Sequence, residues 1–344
     1  MKILVTGSQG FIGTYICNEL LRNGHSVVGI DNYSKYGKLI RPQDSEKKFK
    51  CFDCDVLNSN FFHIVENEKP EQIIAGAAMI GGISYFHKFA YDLIATNERI
   101  LAQTFDAAIN GYKNGWLKRI IVLSSSMVYE KAKTYPTPEV EIQKCPPPAS
   151  TYGFQKLSSE YFAKGAHEQY GLPYTIIRPF NCVGIGEDES IAEHEVKSGN
   201  IKLMMSHVLP DLINKILKGQ NPLSIIGSGA QIRCYTNGRD LARGIRLAME
   251  SDKAINNDFN ISTNEFVTVL ELAKIIWKIL KPNQKFNYVS EEELTYDVKK
   301  RIPDTSKAAE ILNFNANVPL RESVMEVISY MIQKDQLKNQ LLVA

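Results

Sequence analysis

Tyr152 and Lys156 stand four residues apart, so a helix through them sets the phenol and the ammonium on one face. A cation beside a phenol favours the phenolate and is expected to lower the Tyr152 pKa toward neutrality. Such a tyrosine can take the proton from a hydroxyl while hydride leaves the same carbon. Ser150 or Thr151 provides the N-cap that starts the helix. Ser124-Ser125-Ser126 follows the apolar run Ile120–Leu123, at the C-terminal end of a strand, where open α/β sheets bind ligands. One of these hydroxyls can hold the reacting oxygen. Tyr and Lys pairs are common on helices, so the meaning of this one depends on its surroundings.

A departing hydride needs an acceptor. Thr6-Gly7-Ser8-Gln9-Gly10-Phe11-Ile12-Gly13 joins a β-rich run to a helical pattern, the setting a dinucleotide fingerprint requires. Glycines there permit a tight turn and close approach of a pyrophosphate, and the helix N-terminus offers free N–H groups. Asp31 ends the second strand 18 residues beyond Gly13, where an acid pairs with the ribose 2′-hydroxyl. The same carboxylate repels a 2′-phosphate, which favours NAD over NADP. Asp55, after the third strand, is either an acceptor for the adenine amino group or a solvated charge.

The elements that must position these groups alternate through the first half. Lys2–Thr6, Ser26–Asp31, Phe49–Asp53, Gln72–Gly76, Arg119–Ser124 and Tyr174–Arg178 read as strands, separated by helical patterns. The alternation predicts an α/β fold, a Rossmann-type doubly wound parallel sheet with a smaller C-terminal substrate-binding lobe. Thr134 to Ala149, with five prolines, is expected to run over the surface near the site. A second lobe starts near Asn181, with a polar acidic stretch from Gly186 to Gly199, a helix from about Leu209 to Gly219 and a strand at Leu223–Ile226. A helix near Asp240–Glu250 and a strand at Asp258–Ile261 return to the main sheet. The expected division is 1–180 plus about 235–262 for the NAD-binding domain, and about 181–234 plus 263–335 for the other lobe. Asn97 lies inside an apolar stripe of helical period, Leu93 to Ala108; a buried amide must be paired, as a structural tie or in catalysis.

Composition narrows the partners. Hydrophobic residues make up 44% of the 344 and charged ones 23%, as in ordinary globular proteins. Lys plus Arg (40) nearly cancels Asp plus Glu (38), and no basic stripe tracks a phosphate backbone, so neither nucleic acid nor membrane is expected. The N-terminal apolar run is too short for a signal peptide and six scattered cysteines fit reduced thiols, which points to the cytoplasm. Cys51 and Cys54 read as two small strand residues, and no metal is expected.

Several stretches together resemble a known family. They are T-G-x-x-G-x-x-G at Thr6–Gly13, Asp31-Asn32, Asp55-Val56, Ala77-Ala78, Asn97, Ser124 to Tyr129, Tyr152 to Lys156 and Arg178-Pro179-Phe180-Asn181. Over nearly its whole length the chain is similar to the extended short-chain dehydrogenase/reductases of the NAD-dependent nucleotide-sugar epimerase/dehydratase family. The resemblance implies a catalytic triad of Ser125, Tyr152 and Lys156, with Lys156 also on the nicotinamide ribose. It implies NAD contacts from Gly7, Gln9, Gly10, Phe11, Ile12, Gly13, Asp31, Asn32, Asp55, Val56, Ala77 and Ala78. Gly227 to Arg233 is similar to the family's G-x-G-x-Q-x-R segment and Arg301 to Ala308 to its R-x-P-D-x-S-K-A stretch, which makes Arg233 and Arg301 phosphate or ribose contacts. Ser126, Asn181 and His207 complete the implied substrate set. The substrate is a nucleotide-sugar, UDP- or GDP-linked: Ala77 to Gly82 is similar to GDP-sugar enzymes, the C-terminal segment to UDP-sugar enzymes. A homodimer is implied through a four-helix bundle of the helices around Leu93–Ala108 and Tyr152–Glu168.

The same likeness bears on reaction type. Family 4,6-dehydratases carry an Asp-Glu pair directly after the catalytic serine, and here Ser126 and Met127 stand there. Met127 also replaces the Glu of decarboxylases and the Cys of a 3,5-epimerase. What remains is 4-epimerisation through a transient 4-keto sugar. The competing expectations are those three chemistries and, from another class, a non-catalytic NAD-binding sensor, which retention of the triad disfavours.

Overall fold

The computed structural model describes residues 1–80, 88–187, 193–196, 199–202, 207–292 and 298–343. Gly81, Gly82 and residues 188–192 of the acidic stretch lie outside the described residues. Seven parallel strands form the central sheet: β1 (Lys2–Thr6), β2 (Ser26–Asp31), β3 (Phe49–Asp53), β4 (Gln72–Ala75), β5 (Arg119–Leu123), β6 (Tyr174–Pro179) and β7 (Asn257–Ile261). Their order is β7-β6-β5-β4-β1-β2-β3, so the winding reverses between β1 and β4. A ligand crevice belongs outside the strand ends at that reversal.

The strands are apolar on both faces because helices cover both. Along β1, Ile3 and Val5 enter one core and Leu4 the other, the two-residue period of a strand. Helices α1 (Phe11–Arg22), α6 (Gly238–Glu250) and α8 (Ser306–Leu312) cover the first face; α2 (Asn60–Glu68), α3 (Ala90–Lys113) and α4 (Thr151–Tyr170) cover the second. A third core is built by α5 (Val208–Leu217), α7 (Val269–Leu280) and α9 (Leu320–Val343), with Leu209, Ile213, Ile216, Leu272, Ile276 and Val324 fully or almost fully buried. Small sheets belong to this half. Leu223–Ile226 pairs with Tyr288–Glu291, and Ile232–Cys234 lies between Phe266–Thr268 and Lys300–Arg301. Residues 193–196 and 199–202 pair as antiparallel strands.

The proline-rich stretch runs over the surface as expected, with Thr134, Tyr135, Pro136, Gln143, Lys144, Pro146 and Pro147 exposed, but part of it is pinned inward. Thr137, Glu139 and Glu141 are buried, and a single 3₁₀ turn spans Glu139–Gln143. The reason is a set of bonds that only a long strap can make. Glu139 accepts from the Asn260 N–H of β7 (2.7 Å), the Thr137 N–H donates to the Ile302 carbonyl (2.8 Å), and the Asp304 N–H donates to the Thr137 carbonyl (2.9 Å). The strap thereby fastens the Arg301 segment to the edge of the main sheet.

Beneath the site lies a buried ion pair. Arg178 on β6 and Glu160 on α4 are both fully buried and joined at two points, Nε to Oε1 at 2.8 Å and Nη2 to Oε2 at 2.7 Å. Ser124 donates to the same Glu160 oxygen (2.6 Å), while Arg178 Nη1 reaches Tyr129 Oη (2.6 Å) and Asp258 (2.8 Å). One carboxylate therefore ties the end of β5, the helix α4 and strand β6 together.

Candidate functional site

The turn from β1 into α1 leaves no room for side chains. Gly7 has φ +73°, and a Cβ there would meet Ala77 Cα at 3.0 Å; a Cβ on Gly13 would stand 2.0 Å from the Gly7 carbonyl. Only glycine fits either position. Thr6 Oγ1 accepts from the Gly76 and Ala77 N–H groups, both at 3.1 Å, which holds the end of β4 against this turn. Gly10 caps α1 without a side chain, so the helix N-terminus opens onto the crevice. Asp31 accepts from the Gln9 N–H and the Tyr33 N–H, each at 2.8 Å, and burial pushes its carboxyl above the usual range. Asn32 donates to Asp55 (2.6 Å), whose other oxygen takes the Leu57 N–H (2.8 Å). A glycine cradle, a helix N-terminus and an acid at the second strand's end fit NAD, with Phe11, Ile12, Val56 and Ala78 on the same walls.

Ser150 is the N-cap of α4, its Oγ accepting from the Gly153 N–H (2.9 Å), and Glu130 accepts from the Ala149 (2.7 Å) and Ser150 (2.9 Å) N–H groups beneath it. That anchorage starts the helix at Thr151, one residue before Tyr152. Ser125 caps a 3₁₀ turn over Ser126–Tyr129, accepting from the Met127 N–H at 3.2 Å, and hydrogen-bonds the Tyr152 phenol. The three residues of the implied triad thus meet in one cavity.

Their electrostatics differ from the expectation. The Tyr152 phenol is raised rather than lowered, because burial outweighs the bond from Ser125 and the charge of Arg301. Lys156 does not spend its charge on the phenol. Its Nζ donates to the Leu123 carbonyl (3.0 Å), and burial lowers it to about 8. The guanidinium that pulls on Tyr152 comes instead from the far end of the chain.

The cavity, of about 810 Å³, holds every residue singled out above for cofactor, substrate or chemistry. Arg233 and Arg301 are register partners on parallel strands, so two guanidinium stems leave the same sheet side by side. Arg301 Nη1 rests 3.4 Å from Met127 Sδ. Asn181, with φ +37°, donates to the Cys234 carbonyl (3.0 Å) where the halves join. His207 precedes α5 and bonds Glu187 through Nδ1; desolvation at the cavity wall and the charges of Lys35 and Arg301 lower its imidazole to about 4, although its side chain is still 49% exposed. A neutral imidazole that donates from Nδ1 leaves Nε2 as an acceptor toward the cavity.

Sequence reasoning missed Glu187 and Lys35 as wall residues of particular weight. Glu187 lies in a polar stretch without periodicity, and Lys35 in a loop where nothing marks it. Asn97 proves to be a tie: its amide accepts from the Met79 N–H (2.7 Å) and donates to the Met79 carbonyl (2.9 Å). Among the described residues no His, Cys, Asp and Glu cluster could hold a metal, and no helix is long and apolar enough to cross a membrane.

A doubly wound sheet, a glycine cradle and a Ser-Tyr-Lys constellation at its C-terminal edge define an NAD-binding enzyme of the short-chain dehydrogenase/reductase kind. The chain belongs to the NAD dependent epimerase/dehydratase family, whose family model matches residues 3–262. It is 27% identical to a UDP-N-acetyl-alpha-D-glucosaminuronate decarboxylase of Bacillus cytotoxicus, covering 96% of this chain and 97% of that one. Among solved structures it is similar to the UDP-glucose 4-epimerase of Thermotoga maritima with UDP-glucose, at 28% identity and a TM-score of 0.80, covering 97% and 99% of the chains. It is also similar to the UDP-glucuronic acid 4-epimerase of Bacillus cereus with UDP-glucuronic acid and NAD, at 26% identity, a TM-score of 0.81 and the same coverage.

Proposed function

We propose that this protein is a nucleotide-sugar 4-epimerase, working on a UDP- or GDP-linked sugar through a transient 4-keto form. The observation that carries this is the wall beside Ser125, which is Ser126 and Met127, with the guanidinium of Arg301 resting on the sulfur. Removing water from the sugar asks for an acid and a base there, the decarboxylases that the chain resembles carry a carboxylate at the position of Met127, and epimerisation at C4 needs neither. Ser125 holds the sugar hydroxyl against the Tyr152 phenol, and Tyr152 takes the O4 proton. NAD, when bound, would supply the reversible hydride acceptor for C4. Arg233 and Arg301 keep the diphosphate while the 4-keto sugar turns, so that the hydride would return to the opposite face of C4 as Tyr152 gives the proton back to O4. Lys156, held by the Leu123 carbonyl, is left to serve the cofactor ribose, and the charge that bears on the phenol is that of Arg301.

One observation favours a second reading. Glu187 orients a neutral His207 toward the cavity, an arrangement that can move a carbon-bound proton and so support 3,5-epimerisation or 4,6-dehydration. Turnover of candidate UDP- and GDP-sugars in D₂O separates the two. A 4-epimerase returns both sugars with every C–H unlabelled and no net change in cofactor absorbance; deuterium at C3 or C5, or a stable 4-keto-6-deoxy product, overturns the assignment.

The NAD-binding lobe in this proposal is 1–180 with about 235–262, and the nucleotide-sugar lobe is about 181–234 with 263–335, α8 of the latter leaning on the former's core. Six free thiols support a cytoplasmic setting.

A further inference from the structure

The loop after β2 carries a lysine that no step above uses. Lys35 lines the same cavity as Tyr152 and Arg233, although it stands only four residues beyond Asp31, on the cofactor side. Among the described residues no carboxylate pairs with it; its ammonium lies over the ring of Tyr36, 5.0 Å from the centroid. It shares the cavity wall with His207, Arg233 and Arg301 of the substrate half, and its charge and that of Arg301 both bear on the imidazole of His207. A desolvated cation without a counter-charge is costly to keep, and burial lowers this one to about 8. The cofactor's own pyrophosphate has the Gly7–Gly13 cradle and the start of α1. An anion that meets Arg301 and Arg233 from one half and Lys35 from the other is the diphosphate of the second nucleotide.

We propose that Lys35 binds the diphosphate of the nucleotide-sugar from the cofactor-binding half, so that substrate spans both halves and fastens the loop that borders the NAD site. The inference rests on the nucleotide-sugar reading given above. It deepens that reading by making occupancy of one site slow the escape of the other ligand, a reciprocal coupling.

The test titrates purified holoenzyme with UDP, GDP and inorganic pyrophosphate by calorimetry, in wild type, Lys35→Gln, Lys35→Arg and Arg233→Gln. NAD content is read after denaturation. A charge-assisted bond of this kind carries about ten- to a hundredfold in affinity. Lys35→Gln is expected to weaken whichever nucleoside diphosphate wild type binds by about tenfold or more, with pyrophosphate falling in parallel, on the same charge-assisted bond. NAD content stays unchanged, the thermal midpoint without nucleotide does not fall, and Lys35→Arg keeps most of the affinity. In wild type the nucleotide slows NAD release, and in Lys35→Gln it does not. Unchanged affinity in Lys35→Gln alongside a loss in Arg233→Gln overturns the role of Lys35 and leaves the function standing. Loss of NAD with nucleotide affinity intact assigns Lys35 to the cofactor and likewise overturns it. Wild-type enzyme that binds none of the three probes overturns the nucleotide-sugar reading itself.

Discussion

At Tyr152 burial and catalysis pull in opposite directions: a phenol pushed up by its cavity must still release a proton, and the opposing influences are Ser125 and Arg301. Replacing Tyr152 with Phe removes the acid–base group and little volume, so kcat is expected to fall roughly 10²–10⁴-fold while NAD content is unchanged. Steady-state rates beside NAD content check it. Lys156 offers a second test through its lowered pKa of about 8 against 10.5 for a free lysine. A lysine depressed in the fold costs stability while both states are protonated, below about pH 8, and the cost fades as pH rises toward 10.5. Lys156→Met should therefore stabilise the NAD-free protein by on the order of 2 kcal/mol at pH 7. The gain should shrink toward zero by pH 10.5, read by denaturation across that range, even as activity is lost. The triad itself was legible in the sequence because helical spacing and a strand-end serine cluster are local properties. The charge state of Tyr152 was not, since it depends on burial and on an arginine brought beside Met127 from 174 residues away.

Among the elements, α4 is held to the sheet by the Arg178–Glu160 pair at the same depth where Ser124 precedes the catalytic serine. Glu160→Gln leaves a buried guanidinium short of a counter-charge and is expected to cost about 3–5 kcal/mol. A joint change of Arg178 to Met and Glu160 to Leu should recover much of that loss, because two charges no longer need burial. Urea unfolding of the three proteins decides the point; equal stability of Glu160→Gln and wild type would show the pair to be idle. The strands and helices of the doubly wound sheet could be read from alternation, because both sheet faces are apolar and their flanking turns are marked. The strap over Thr134 to Ala149 lies on the surface as its prolines suggest, but its inward ties could not be read. Its prolines forbid helix, yet nothing in them shows that Glu139 and Thr137 find partners on β7 and beside Arg301.

For the whole molecule, α3 and α4 lie side by side, with the Phe105 and Phe162 rings 5.8 Å apart and Ser158 bonded to Glu98 (3.0 Å). The aromatic residues these helices leave exposed, Tyr91 at 61%, Phe154 at 50% and Tyr161 at 66%, form the surface on which a second copy would pack. Equilibrium sedimentation at micromolar concentration is expected to give a homodimer, and Tyr161→Glu a monomer. A wild-type monomer would refute a four-helix interface. The interleaving of the two halves reaches further than architecture. β7 (Asn257–Ile261) pairs with β6, Asp258 completes the shell of Arg178, and Phe314 closes the first core. During synthesis, a nascent chain that has exposed all of β1 to β6 still presents a bare sheet edge until the 82 residues from Phe180 to Ile261 have also left the ribosome. Completion of the central sheet is therefore a late event in synthesis, and the open edge of β6 is what a strand-shielding factor would meet in the meantime.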